Sequence, residues 1–600
     1  MPFGNKANLC RVYEYGCLVP IQGERELIDS IFKRNRLWNK LVEIDRLFEE
    51  KFHILIKENA AQSGFDLNAL EREVAFLRDL KDAFMEEAKR LRQKARSGKA
   101  KLPQRMQQDF ACLKPCLQRK SVEYKEAKKR VREVSKNTLE VLENERKATV
   151  KKALHSFGLW WCNWGEENTE YDAARRRVLQ ERAKGKPVSL RFHRFDGTGK
   201  VTVRLRERGM AGPWGMPMEN IFKPNNAFWI EPVPAEAWEH PIRSVRRKAA
   251  RTKVHFRIGS DVHKNPVWVV LPMVMHRPLP ENGIVRQASV VRGRVGRAFR
   301  YKLVVTVELP ETKKVPLRKE GVVAVDLGWR KVEGGVRVAY WADDTCFIGG
   351  KENGKEHHGE LVLPDKMIRA FQKLRNLRSI RDVHFDEAKM VLAEFLRKNS
   401  VPDWLKEKLK GLGRWRSQRK LIAVLDEWEM NRFAGDGVFE WLQEWRKRED
   451  HLYDWESNLR DQVLRWRREE YRKFAKWLAE NYSAVVLEKF DIRGVAEKPA
   501  PEKGTQGSVP PDYQRFISAP SELRLCIVNA YGREKVKVSY QPAALTTLRC
   551  HVCRHKEKFD AGKDIWRRCP KCGELWDQDY NACINLLKQH FSSSKEAAVS

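Results

Sequence analysis

Hydrophobic positions along this chain follow three successive rhythms. From 24 to about 57, Leu27, Ile31, Trp38, Leu41, Ile44 and Phe48 return mostly at three- and four-residue steps with charges between them, the period of an amphipathic helix. A second helix is predicted over 68–94, with Leu70, Val74, Leu77 and Phe84 on one face, and a third helical region over 103–164 beyond the loop Ser97-Gly98-Lys99. Near 187 the period drops to two. The run 188–195 and its echo 201–205 flank Asp196-Gly197-Thr198-Gly199 and read as a hairpin; further strands are predicted at 253–258, 267–276, 285–293 and 299–309.

From 320 the pattern changes again. Val322 to Val325 is a fully apolar run of the kind found in buried strands, and it ends in Asp326-Leu327-Gly328-Trp329-Arg330. A Gly334-Gly335 turn leads to a strand at 336–341. Helices are expected over 366–400, 414–447 and 452–481, the last striped by Trp455, Leu459, Val463, Trp466, Tyr471 and Phe474. Ala484 to Leu487 forms another buried strand that ends in Glu488. Residues 497–511 read as a flexible loop, 513–531 as a helix, 535–540 as a strand and 592–600 as a disordered tail.

These rhythms give a multidomain α+β chain. The opening residues 1–21 supply a strand, 22–164 a helical domain, 165–318 a β-barrel-like domain, and 319–600 an α/β domain with a helical insertion at about 360–450 and a cysteine-bearing insertion at about 542–575. The first strand is expected to complete the barrel, so that the helical lobe is inserted in it.

Composition adds a partner. The chain carries 117 Lys+Arg against 81 Asp+Glu, a net charge of +36. Such a field costs stability through self-repulsion unless a polyanion neutralises it, and phosphates do so while releasing counterions. The predicted strands and their connections present Arg191, Arg194, Arg204, Arg246, Arg247, Arg292 and Arg294, candidates for nucleic-acid contact. No apolar run is long enough to cross a bilayer, and no signal-type stretch opens the chain, so no membrane partner is expected. Of twelve cysteines, eight show no disulfide pattern, which suits a reducing cytoplasm.

The other four form Cys550-x2-Cys553 and Cys569-x2-Cys572. Two such knuckles need a common ligand, and four thiolates make a closed tetrahedral site for one structural zinc. Directly after them comes Asp577-Gln578-Asp579-Tyr580-Asn581-Ala582. Asp579 starts a helix, while Asp326 and Glu488 each close an apolar strand. Three hard carboxylates on a rigid frame are what two magnesium or manganese ions need to hydrolyse a phosphodiester. Asp577 reads as a helix cap or a neighbour of the ligands.

Val325-Asp326-Leu327-Gly328, Leu487-Glu488, the two knuckles and Asp577 to Ala582 resemble the RuvC half of transposon TnpB proteins and type V CRISPR effectors. Gly185-Lys186-Pro187, the run Leu190 to Gly199 and Asp326 to Arg330 resemble the compact subtype V-M effectors, over nearly the whole chain. The resemblance implies a bilobed protein: a helical recognition lobe inserted in a β-barrel wedge domain, then a RuvC-like RNase H fold with helical insertion and zinc ribbon. It implies a guide CRISPR RNA, target double-stranded DNA read beside a short adjacent motif, and a monomeric ribonucleoprotein in a prokaryotic cytoplasm. As a family, subtype V-M effectors are associated with binding DNA without cutting it, their RuvC acids often being substituted. Here Asp326, Glu488 and Asp579 are all in place. A magnesium-dependent nuclease, a binding-only silencer whose RuvC site is idle or trims precursor guide RNA, and a transposon-encoded TnpB nuclease all remain open.

Overall fold

Alternation of buried and outward residues builds the two main sheets of this chain. The computed structural model describes every residue except 1–9, 95–103, 206–214, 225, 310–320, 349–356, 490–510, 534, 535, 537, 544, 557–564 and 600. One unit comprises 10–293 and 300–309; the other comprises 1–9, 294–299 and 310–600.

In the first unit five helices follow β1 (Cys10–Cys17): α1 (Glu24–Gln62), α2 (Leu67–Lys94), α3 (Gln104–Val134), α4 (Lys136–His155) and α5 (Trp161–Ala183). The remaining strands are β2 (Gly199–Arg204), β3 (Met216–Pro217), β4 (Phe228–Ile230), β5 (Arg251–Ser260), β6 (Pro266–Val274), β7 (Ile284–Val295) and β8 (Ala298–Glu308). The sheet order is β2-β7-β8-β1-β6-β5-β4, with β3 also on β7. β1 pairs along its whole length with β8, from Cys10 opposite Glu308 to Cys17 opposite Tyr301. The first strand thus does belong to the later sheet, and the helices fall between its first and second strands. Among the described residues the sheet does not close into a barrel, since β2 and β4 end the path unpaired with each other.

Two sequence expectations fail here. The helical region runs on to Ala183, past the expected boundary at 164. The run 188–195 alternates like a strand but joins no ladder, because its backbone groups are taken by helix side chains, as described below.

The second unit holds β9 (Val322–Val332), β10 (Gly335–Asp343), β11 (His358–Pro364), α7 (Asp365–Lys398), α8 (Gln418–Met430), α9 (Val438–Asn481), β12 (Ala484–Lys489), α10 (Pro511–Ser518), α11 (Pro520–Arg533), β13 (Ser539–Pro542), β14 (Trp566–Arg568), β15 (Leu575–Asp577) and α12 (Gln578–Val599). A short helix, α6 (Arg243–Ala249), belongs to the first unit. The sheet order is β11-β10-β9-β12-β13. β9, β10 and β11 are antiparallel; β12 and β13 run parallel to β9.

Period two divides this sheet. Val323, Val325, Val485 and Leu487 face a core shared with Phe371 of α7, Tyr471 and Leu478 of α9, and Ile527 of α11. Ala324, Val486, Tyr340 and Ala342 face the other way, against Cys583, Ile584, Leu586 and Leu587 of α12. The outer parts of α7 and α9 enclose a separate apolar core with α8 around Trp428, which is fully buried. The expected helix over 513–531 breaks at Ala519, which adopts φ 37 before Pro520. The expected loop 497–511 lies outside the described residues apart from Pro511, which opens α10. The expected disordered tail is instead helical as far as Val599.

Candidate functional site

The pairing of β12 with β9 ends at Leu487 opposite Val325, so Glu488 and Asp326 are the next residues on two parallel neighbours. Both belong to the face that carries Ala324 and Val486, the one α12 covers. Asp326 was expected to close its strand. It lies instead in the middle of β9, because 327–332 continue antiparallel to β10 as far as Val332 opposite Gly335. α12 then brings Asp579, its second residue, to the same side. Asp577 caps that helix: its Oδ1 accepts the backbone N–H of Asp579 at 2.8 Å.

Gathering these acids disfavours their charged forms. Burial, then Glu488 and Asp579, push the Asp326 carboxyl well above the usual carboxylate range. Burial also raises Glu488, with Asp579 adding to it and the Thr546 hydroxyl opposing; Thr546 Oγ1 donates to Glu488 Oε1 at 3.1 Å. Asp579 is raised by burial against the opposing pull of Arg330 and Arg337. Among the described residues Asp326 forms no ion pair. The three acids are close enough to act on one another, yet they do not close into a single ligand set. Among the described residues only the four cysteines bring three or more ligand atoms within 4.8 Å of one another.

Arg337 explains part of that spread. From β10 its Nη1 donates to Asp577 Oδ2 at 2.8 Å and Asp579 Oδ2 at 3.0 Å, and its Nε donates to Glu360 Oε2 at 2.5 Å.

The knuckles form one cluster. Cys550 Sγ lies 3.7 Å from Cys572 Sγ, and Cys553 Sγ lies 3.5 Å from Cys569 Sγ. Four sulfurs held at the usual zinc–sulfur length at tetrahedral corners stand about 3.8 Å apart, so the cluster fits a structural zinc. Both knuckles turn alike: Arg554 N–H bonds Cys550 O, and Gly573 N–H bonds Cys569 O. The residue after each second cysteine is left-handed, with φ 63 at Arg554 and 77 at Gly573. Trp576 packs against Cys550 and Cys569, one residue before Asp577.

Asn581 ties the first knuckle to α12. Its Nδ2 donates to the carbonyls of Thr546 and Arg549 at 3.0 Å each, and its Oδ1 accepts from the His551 backbone N–H at 2.8 Å. Asn585 repeats the motif one turn on, donating to the same two carbonyls at 2.8 and 2.7 Å. The Asn-x3-Asn spacing was available as a signal, since residues four apart share a helix face. Thr546 and Arg337 gave no signal of their own among so many polar and basic residues.

The candidate nucleic-acid arginines divide. Residues 188–195 lie extended along α1 with their backbone bonded to side chains. Arg182 Nε donates to Val188 O, and Trp38 Nε1 to Arg191 O at 3.0 Å. Asn39 grips His193 as a strand would, accepting from its N–H at 2.8 Å and donating to its carbonyl at 2.9 Å. The His193 ring stacks on Trp38 at 4.7 Å, and Arg46 covers Phe192 at 4.3 Å. Arg191 and Arg194 are left exposed on this strap. Arg246 and Arg247 of α6 are half-buried and exposed, and Arg294 is exposed with its Nε on Gly296 O. Two of them have partners within the protein. Arg292 is buried, its guanidinium held by the Tyr301 hydroxyl and Gly197 O. Arg204 is paired with Glu166. Arg292 is thus committed to the interior of its unit, whereas Arg204 is half-buried.

A family model described as Cas12f1-like, TNB domain matches residues 522–586, the stretch holding both knuckles and Asp579. The chain is 42% identical over 578 residues to a CRISPR-associated DNA-binding protein Cas12m from Thermanaerosceptrum fracticalcis, covering 96% of this chain and 92% of that protein. It is 31% identical over 599 residues to a protein of the same description from Allomeiothermus silvanus, covering 98% of each. Among solved structures, it resembles the cryo-EM structure of a Cas12f1–sgRNA–target DNA complex at 10% identity and a TM-score of 0.40, over 97% of this chain and 99% of that one.

Proposed function

Because the chain belongs to the Cas12m family, a family of compact type V CRISPR effectors, we propose that it carries a guide CRISPR RNA to motif-flanked double-stranded DNA and keeps a hydrolytic RuvC site. The observation that carries this reading is the placement of Asp326 and Glu488 on neighbouring strands of one sheet face, with Asp579 in the first turn of the helix that covers it. Three antiparallel strands followed by two parallel ones is the order of an RNase H-type sheet, and the acids stand on its central strands and the helix that covers them. On this reading the eight-stranded sheet of the first unit forms the wedge domain, the helices α1 to α5 over 24–183 the recognition domain, and 319–600 the RuvC domain with its helical and zinc-bearing insertions. The +36 charge and the exposed Arg191, Arg194, Arg247 and Arg294 supply grip on phosphates, while base pairing supplies sequence.

Asp326, Glu488 and Asp579 would hold magnesium, and Cys550, Cys553, Cys569 and Cys572 one zinc. Bound magnesium would supply an activated water and neutralise the leaving oxygen. Asp326 and Glu488 offer raised, unneutralised carboxyls that a divalent cation would deprotonate. Asp577 and Asn581 fix where α12 starts, and hence where Asp579 stands.

A second reading is a DNA-binding effector that silences without cutting, its acids idle or trimming guide RNA. The tie between Arg337 and Asp579 favours it, as does the description of the relatives as DNA-binding proteins. The test is the purified ribonucleoprotein with labelled target duplex and precursor guide RNA, with and without magnesium. Wild type should bind the duplex and hydrolyse one of the two substrates only with magnesium; Asp326→Ala should bind equally and hydrolyse neither. Binding with no hydrolysis by wild type selects the second reading. Loss of guide-directed binding in Asp326→Ala contradicts both.

A further inference from the structure

One end of the acid group already holds a cation of the protein's own. Arg337 is buried on β10, its guanidinium 5.1 Å from the Tyr340 ring centre. A single nitrogen, Nη1, bridges Asp577 Oδ2 and Asp579 Oδ2 at 2.8 and 3.0 Å, while Nε is anchored on Glu360. Charge-assisted bonds of this length, away from water, are the strong kind. The other end differs. Asp326 has no ion pair among the described residues, and Glu488 has a neutral hydroxyl partner. Arg330 acts on Asp326 and Asp579 through space.

We infer that Arg337 stands in for one of the two divalent cations of a RuvC-type centre, so that the protein takes a single divalent ion at the Asp326–Glu488 end and is denied a second at Asp579. This rests on the reading of the three acids as an ion site. A second ion at Asp579 must either detach the guanidinium from two carboxylates, leaving a buried cation short of partners, or sit beside it against like charge. Glu360 makes detachment harder by holding the other edge of the fork. Arg337 is in this sense a positioning residue: it decides how Asp579 is spent. Removing its charge frees Asp579 and adds one negative charge to the pocket, and both effects favour a second ion.

The experiment counts Mn2+ bound to the zinc-loaded, nucleic-acid-free full chain by electron paramagnetic resonance of the free ion. Wild type should bind one Mn2+ that Asp326→Asn removes. Arg337→Gln should bind two, the second at least about tenfold tighter than any second ion on wild type, a change of about 1.4 kcal/mol. Arg337→Lys, which keeps the charge, should stay at one. Circular dichroism confirms that each variant is folded. Wild type binding two ions of similar affinity, both lost in Asp326→Asn, overturns the inference while the ion site stands, and needs no Arg337 variant. Arg337→Gln remaining at one ion also overturns it. Mn2+ binding untouched by Asp326→Asn sinks the ion-site reading itself.

Discussion

Glu488 and Asp326 stand side by side on parallel strands, one residue past the Leu487–Val325 pair, at the point where an apolar layer under α12 gives way to charge. Two acids so placed, with Asp579 brought over them, are unfavourable without a counter-charge, and this carries a cost that can be measured.

Asp326 has a folded pKa above its unfolded value of about 4. The stability such a group contributes is fully present below the unfolded value and is lost as pH rises through the folded one. The part of the metal-free chain's stability that depends on Asp326 should therefore fall as pH rises above the unfolded value. Asp326→Asn should remove that part of the slope and raise the melting temperature at pH 7, as sites that store electrostatic strain do when neutralised. Thermal melts at several pH values with a chelator present check this; a lower melting temperature for the variant at pH 7 would count against it.

Zinc removal should reach the acids. Trp576 packs on Cys550 and Cys569, and Asp577 follows it on β15. A structural zinc is worth about 10 kcal/mol or more to a small ribbon, so a strong chelator or Cys569→Ser should unfold the knuckles. It should also weaken Mn2+ binding at Asp326, because α12 loses the strand that starts it. Unchanged Mn2+ affinity in Cys569→Ser would show the two centres to be independent.

Asn581→Ala should destabilise the second unit by about 1–3 kcal/mol, since it leaves the His551 N–H without its acceptor while Asn585 still donates to the Thr546 and Arg549 carbonyls. Hydrogen exchange at His551 and a denaturant melt measure it. A loss below about 0.5 kcal/mol would mean that Asn585 carries the joint alone.

The strap should matter through charge. Arg191→Ala with Arg194→Ala should weaken guide RNA binding and make its salt dependence shallower, by about 0.7 in log–log slope for each phosphate no longer neutralised. Asn39→Ala, which frees the His193 backbone but keeps every charge, should weaken binding with an unchanged slope. Fluorescence anisotropy across a salt series separates the two; an unchanged slope in the double variant would remove the strap from the interface.

What was legible in the sequence follows from what is local. Val322–Val325 and Ala484–Leu487 are apolar throughout and could only be buried strands; the knuckles carry their spacing openly; the Asp577 cap is a matter of two neighbouring residues. What was hidden depends on a distant partner. The run 188–195 alternates because one side of it lies on a helix, and Asn39 supplies the hydrogen bonds a neighbouring strand would have given. α5 continues past 164 because Glu166, Glu167 and Tyr171 are buried against partners from other elements, so its sequence shows no apolar stripe. Arg337 looks like any other of the 117 basic residues until β10 sets it opposite α12.

The most direct measurement is an anomalous difference map from crystals of the full chain soaked in Mn2+, with data collected at the manganese and zinc edges. A manganese peak in contact with Asp326 and Glu488, together with a zinc peak inside the four cysteines, is the expected result. A zinc peak alone, with no manganese at the three acids at millimolar Mn2+, would contradict the account.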